Sequence, residues 1–272
     1  MNILDEIFAH KREEVDALRR HRPLADLITE AGAAPPALDF AAALRSASQR
    51  PALIAEVKCA SPSKGLLAKD FDPLRLAETY RDHGAAAISV LTDERYFKGH
   101  LDHLRQIADR FSSAGPHLPL LRKDFICDPY QVYQARAARA DAVLLIAAYL
   151  DLPLLRDLHT LTRSLGMAAL VEVHNRAELE RALQVEPILV GVNNRDLRDF
   201  SVRLETVLDL RPLVPPGILL VAESGIHTAQ DVTRLKAAGI DAILVGEALV
   251  TAPDVGAKVR ELSGHSQPAP AD

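Results

Sequence analysis

The sequence predicts an α/β fold, a closed (β/α)8 barrel with a helical extension at its N-terminus. Three observations predict it. From residue 51 onward, apolar runs of strand length alternate with longer amphipathic segments. Eight such runs can be read: ALIAEVK, AAISVLT, LPLLRKDF, AVLLIAAY, AALVEVH, ILVGVNN, ILLVAES and DAILVGEAL. They are apolar almost throughout, as strands buried on both faces of a parallel sheet are. An open doubly wound sheet would also alternate strand with helix, but the strand count favours closure into a barrel.

Taken in order, residues 2–20 set Ile3, Leu4, Ile7, Val15 and Leu18 at roughly helical intervals among charges, which predicts an amphipathic helix. A second, weaker helix is read over residues 39–49, after the loop AGAAPP. Residues 1–50 are then the extension, residues 51–262 the barrel, and residues 263–272, ending in SQPAPAD, a disordered tail. Within the barrel, Asp72-Pro73, Asp128-Pro129 and Asp151-Leu152-Pro153 each join an N-cap to a proline in the first turn. Gly84, Gly166 and Gly239 stand where helices should stop. A faint internal repeat links HGAAAISV from residue 83, ADAVLL from 140 and GIDAILV from 239. Each reads as a helix end, a short turn and a buried strand.

The bulk numbers exclude more than they assign. The 37 acidic and 32 basic residues give a net charge of −5, so no global charge points to nucleic acid. No apolar run approaches a membrane span, and the N-terminus carries acidic residues from position 5 without a continuous apolar stretch, unlike a secretory signal. Cys59 and Cys127 form neither a disulfide framework nor a metal-ligand spacing, which fits a reducing, cytoplasmic setting. Sequence motifs for nucleotides, flavin and zinc are absent.

The charges within the strands carry the functional signal, because they fall late. Glu56 and Lys58 end the first run, two apart and so on one face. Lys123 ends the third, Glu172 the fifth, Asn193 and Arg195 the sixth, and Glu223 and Ser224 the seventh. In a β/α barrel the C-terminal strand ends meet at one rim, where active sites lie. Glu56 and Lys58 could instead form a structural ion pair, and Arg122-Lys123-Asp124 could be a solvated loop. Parity places Lys123 in an apolar row with Leu121 and Phe125, a setting in which a lysine pKa can fall. Glu172 shares a face with Leu170 and His174, as a base, an acid or a counter-charge. His174 reads as a cap or surface residue, and Asp70, Asp93, His100 and His103 read as solvated. Gly225, after the seventh strand, and Gly246, in the eighth, would let backbone N–H groups approach a phosphate, with Glu247-Ala248-Leu249-Val250 as a short extra helix. The loop Ser61-Pro62-Ser63-Lys64-Gly65 adds hydroxyls and a cation at the same rim, and Gly65 would let it move.

These stretches together resemble the indole-3-glycerol phosphate synthase family. Ala55-Glu56-Val57-Lys58 with Ala60-Ser61-Pro62-Ser63-Lys64-Gly65 is similar to that family's first-strand signature. The likeness continues through Ser89-Val90-Leu91-Thr92 with Tyr96-Phe97, Leu121-Arg122-Lys123-Asp124-Phe125-Ile126, Val171-Glu172-Val173-His174, Gly191-Val192-Asn193-Asn194-Arg195-Asp196-Leu197 and Ala222-Glu223-Ser224-Gly225-Ile226. It also covers Ile3-Leu4-Asp5 and Lys11-Arg12-Glu13-Glu14-Val15. The resemblance implies a carbon–carbon lyase of tryptophan biosynthesis, a decarboxylase that closes the pyrrole ring of indole without metal or organic cofactor. It implies Lys123 as general acid for ring closure, Lys58 as ligand of the substrate carboxylate and aid to hydroxyl loss, and Glu172 for dehydration. Glu56 and Asn193 would orient these groups, Glu223 would line the pocket and Arg195 would give electrostatic support. Ser61, Ser224, Gly225, Gly246 and Glu247 would hold the phosphate, and Phe97, Phe125, Leu144 and Leu197 would form the slot for the aromatic ring. The expected partner is a phosphorylated small molecule, with no nucleic acid or membrane, and the expected state is a monomer. No second catalytic domain is expected, so a separate isomerase would supply the substrate and tryptophan synthase would take the product.

Other readings of the same residues remain open at this point. A Schiff-base aldolase could use Lys58 or Lys123, a metal-assisted enzyme could use Glu56, Glu172 and Glu223, and a barrel could bind a phosphorylated metabolite without catalysis.

Overall fold

The computed structural model describes residues 3–62, 64–68, 70–113, 117–196 and 200–265. Ser63, Leu197 and the tail residues 266–272 lie outside them. Eight strands form one closed barrel: β1 (Ala52–Val57), β2 (Ala87–Leu91), β3 (Leu120–Lys123), β4 (Ala142–Ile146), β5 (Ala168–Val173), β6 (Leu189–Asn193), β7 (Leu219–Glu223) and β8 (Ala242–Val245). Every pairing is parallel, and β1 bonds to both β2 and β8, which excludes the open sheet. Each strand falls inside one of the eight apolar runs.

Strand parity divides the core into two. Ile54, Leu121, Leu144, Leu170, Leu189, Val221 and Leu244 belong to one buried cluster, the barrel interior. Their strand neighbours Leu53, Ala55, Val143, Val171, Val190, Ala222 and Ile243 belong to the other, which packs under the helices. The interior parity extends to Glu56, Lys58, Lys123, Glu172, Asn193 and Glu223. A run that is apolar on both faces therefore ends in charge on one face only.

The helices begin and end as their local sequences require. Asp72, Asp128 and Asp151 accept hydrogen bonds from Arg75, Tyr130 and Leu154 N–H respectively, each with proline in the first turn. Gly84, Gly166 and Gly239 all have positive φ. The internal repeat also has a physical basis. Asp141 and Asp241, each just before a strand, accept the N–H of Leu120 and Leu220 in the preceding strand, at 2.8 and 2.9 Å.

The extension contains α1 (Ile3–His21), α2 (Leu24–Ala33) and α3 (Phe40–Ser46). The sequence reading lacked α2, which has no side-chain cap and only a short apolar face. Leu24, Leu27 and Ala31 share one side of it, and its buried Leu27 clusters with Val15 and Tyr130. At the other end of the chain, Ser263 completes a helix and His265 lies 3.2 Å from Ser48 Oγ, so the first residues of the expected tail are held against the fold.

Candidate active site

The interior parity brings charges from four strands, and Asn193 from a fifth, into one cluster. Lys123 Nζ lies 3.3 Å from Glu223 Oε2, 3.6 Å from Glu56 Oε2 and 3.9 Å from Glu172 Oε2. Lys58 Nζ lies 3.3 Å from Glu56 Oε1, so the ion pair weighed from sequence is present, but inside the rim. Asn193 Nδ2 donates to Glu172 Oε1 at 3.4 Å. All three carboxylates are buried.

Burial disfavours every charge here, and proximity decides which survive. For Lys123, burial lowers the pKa, but Glu223, Glu56 and Glu172 outweigh it and hold the ammonium above its usual range. The lowered pKa expected from the apolar row of β3 is therefore reversed, because the deciding carboxylates come from other strands. Glu56 is held below its usual range, since Lys58 and Lys123 overcome its burial. Glu223 goes the other way. Burial, aided by Glu172 and Glu56 and opposed by Lys123, pushes it up to about 8 and so favours its protonated form.

Two glycines make room for these carboxylates. A Cβ at Gly246 would sit 2.5 Å from Glu56 Oε1, and one at Gly191 would fall on Glu223 Oε1. Gly191→Ala must displace the Glu223 side chain within a packed interior. It is expected to cost about 1–3 kcal/mol, read as a lower urea midpoint at unchanged m. An unchanged midpoint would show that the carboxylate moves aside freely.

The space above the cluster has two ends. One is an apolar slot lined by Phe97, Phe125, Leu144 and Ile146, with Leu4 and Ile7 of α1 as a wall that the sequence reading did not include. Lys58 Nζ stands 5.5 Å over the Phe97 ring. The other end is polar and is lined by Ser224, Gly225, Gly246 and Glu247. Ser224 and Gly225 are consecutive positive-φ residues, and Glu247–Val250 is the short extra helix foreseen from sequence. Glu56, Lys58, Lys123, Asn193 and Arg195 border both ends. Ser61 lines the slot, in a small hairpin that pairs Ala60 with Leu66 and Ser61 with Gly65. Lys64 of that hairpin reaches across to Glu247 Oε1 at 2.5 Å, and Arg195 stands 4.0 Å from Glu247 Oε2. Leu197 lies outside the described residues.

Three further groups correct the sequence reading. Asp93, expected to be solvated, is fully buried and 3.0 Å from Lys11 Nζ. Asp124 accepts an ion pair from Lys11 at 3.1 Å and from Arg122 at 2.9 Å, and Thr92 Oγ1 donates to it at 2.6 Å. The charges flanking Lys123 thus form a buried network behind the rim, not a solvated loop. Asp93 caps the short helix that presents Phe97, and Asp124 accepts the N–H of Phe125. Lys11 is 1% exposed and anchors α1 to both. One signal could have found it: Ile7, Lys11 and Val15 are spaced four apart, so Lys11 lies on the apolar stripe of α1. His174, read as a cap or surface residue, is only 13% exposed, and its ring lies between Glu172 and Glu178. Asp70 is exposed, as expected.

No group of three or more His, Cys, Asp or Glu side chains among the described residues is arranged to hold a metal. No helix there is long and apolar enough to cross a membrane.

Comparison with known proteins identifies the family. The family model for indole-3-glycerol phosphate synthase matches residues 4–262. A protein of that name from Roseiflexus sp. (strain RS-1) is 58% identical over 270 residues, covering 97% of this chain and 99% of its own length. One from Albidiferax ferrireducens is 50% identical over 263 residues, covering 96% and 98%. Among solved structures, 3-hexulose-6-phosphate synthase from Salmonella typhimurium superposes with a TM-score of 0.63 at 14% identity, covering 78% of this chain and 97% of that one, which speaks to the fold alone. The chain belongs to the indole-3-glycerol phosphate synthase family.

Proposed function

We propose that this chain converts 1-(2-carboxyphenylamino)-1-deoxyribulose 5-phosphate to indole-3-glycerol phosphate, carbon dioxide and water, a step of tryptophan biosynthesis. The observation that carries this reading is the pairing of Lys123 with Glu172, 3.9 Å apart, between an apolar slot and a polar, glycine-lined mouth. The substrate has the matching order: an aromatic ring, a reacting carbonyl and a phosphate.

Lys123 protonates the ketose carbonyl oxygen while the ring carbon that bears the carboxylate attacks the carbonyl carbon. The new ring sheds carbon dioxide, and the electrons of the broken bond restore aromaticity. Glu172 then takes a proton from the methylene beside nitrogen, and the hydroxyl leaves as water with a proton from Lys58. Before that step Lys58 holds the substrate carboxylate, stacked over Phe97. Phe125 and Leu144 flank the aromatic ring, with Leu4 and Ile7 covering it. Glu56 and Asn193 orient the reacting groups, and Glu223 lines the pocket beside Lys123. Ser61, Ser224, Gly225, Gly246 and Glu247 receive the phosphate, the last three through backbone N–H groups. The first N–H groups of a helix have no acceptor within it, which suits this role. Arg195 steadies Glu247. Every group in this scheme comes from one chain, so a monomer suffices, and acid–base chemistry at these residues calls for neither metal nor organic cofactor.

Incubation with the carboxyphenylamino substrate should produce indole absorbance and fluorescence, free of tryptophan background because the chain has no Trp. Folded protein that gives no turnover would overturn the assignment. Borohydride reduction with a sugar phosphate should leave Lys58 and Lys123 unmodified, whereas a trapped adduct on either would favour a Schiff-base aldolase.

A further inference from the structure

Glu172 has two oxygens in different surroundings. Its Oε2 faces Lys123 at 3.9 Å, on the reaction side. Its Oε1 faces away, 3.4 Å from both Asn193 Nδ2 and His174 Nε2. The opposite edge of the imidazole, Nδ1, lies 3.0 Å from Glu178 Oε2. Glu178 is itself held in place. Its Oε2 accepts the His174 backbone N–H at 2.8 Å, its Oε1 accepts Asn175 Nδ2 at 2.6 Å, and its own N–H donates to Asn175 Oδ1 at 3.0 Å. A carboxylate, an imidazole and a second carboxylate thus run in line from the start of helix Arg176–Ala182 to the centre of the barrel.

We propose that His174 is a positioning residue whose imidazolium, clamped by Glu178, attracts Oε1 of Glu172 by charge across 3.4 Å and so aims Oε2 at the substrate. The proposal rests on the reading of Glu172 as the proton acceptor in dehydration. The cationic form is the one the surroundings favour. Burial lowers the His174 pKa, but the Glu178 hydrogen bond and the charges of Glu172 and Glu178 outweigh it and raise it above the usual histidine value. The ring contacts Glu172 at the end of β5 and Glu178 on the following helix, and Glu223 on β7 acts on it from farther off. Of these Glu223 also titrates, near 8, so a rate profile alone would mix two ionisations.

The test therefore follows the imidazole itself. The His174 ring is assigned in an NMR pH titration of the ligand-free protein as the signal lost in His174→Gln. It should titrate above 6.5 in wild type. It should move to lower pH in Glu178→Gln and also in Glu172→Gln. A simple helix-start contact would respond to Glu178→Gln alone, so a His174 titration unmoved by Glu172→Gln overturns the proposal. His174→Gln keeps an N–H donor without the charge. Loss of the charge should lower kcat roughly tenfold, about 1.4 kcal/mol of transition-state stabilisation, with KM changed far less. Wild-type kcat in folded His174→Gln would equally overturn it. If that variant fails to fold, the ring is assigned from the remaining histidine signals, and the two carboxylate variants decide. The titrations need no substrate, so they stand whatever the wild-type turnover assay shows, and absent turnover would strike only the proposed reaction.

Discussion

Lys123→Ala is expected to lower kcat by about 10²–10⁴-fold, the usual worth of a positioned general acid. The loss should appear at every pH from 5 to 9. The carboxylates of Glu223, Glu56 and Glu172 outweigh burial and hold the Lys123 ammonium above its usual range, so the acid form persists throughout that window. KM should change much less, because the aromatic slot and the phosphate loops remain intact. The variant should also fold, since the carboxylates left behind can take up protons, as burial already favours for Glu223. Steady-state kinetics across the pH range checks this. Near-wild-type kcat would move the ring-closure acid to another residue, with Lys58 the next candidate at 3.3 Å from the shared Glu56.

Lys11→Met should have the largest effect on stability, although Lys11 touches no part of the proposed chemistry. It removes the cation shared by Asp93 and Asp124, which are fully or almost fully buried. Stripping one partner from a buried ion pair typically costs about 3–5 kcal/mol, and Arg122 remains to compensate Asp124 only. Urea unfolding of wild type and variant measures the difference, and a cost below about 1 kcal/mol, the value of an exposed pair, would sink the argument. The pH dependence has a defined sign. Burial raises the Asp124 pKa, but Lys11, Arg122, Thr92 and the Phe125 N–H depress it overall. Its contribution is therefore present above the unfolded carboxylate pKa and is lost as pH falls below it. Lys11 is raised by Asp124, Asp93 and Glu14 against its burial, so its contribution holds below the usual lysine pKa and is lost only at higher pH. Lys11→Met should weaken both dependences. Because Asp93 caps the helix that carries Phe97, and Leu4 and Ile7 of α1 wall the slot, a secondary rise in KM is expected as well.

Much of this was legible in the residues because it is encoded locally. Strand and helix periods, the Asp-Pro helix starts and the glycine stops are properties of short segments, and all eight strands lie where their apolar runs are. The rim was legible for a related reason. In a parallel barrel every strand ends at the same face, so late charges on five strands had to converge. Helix α2 was missed because its apolar face is short and its start lacks a side-chain cap. Asp93 and Lys11 were missed because each sits among charges in the sequence. Only the packing of α1 over the segments that follow β2 and β3 takes them out of water.

By itself, the sequence determined the architecture, the family and the residues that would share one rim, since alternation along a strand settles which side chains face inward. The tertiary structure alone decided how those residues are charged. Lys123 lies in an apolar row on β3, yet three carboxylates from β1, β5 and β7 hold its proton. Glu223 and Glu56 both end strands as buried acids, yet one is pushed up to about 8 and the other held down. His174, ordinary in sequence, becomes a bridge between Glu172 and Glu178. Charge state depends on distances of 3 to 4 Å between groups far apart in the chain, and only closing the barrel sets those distances.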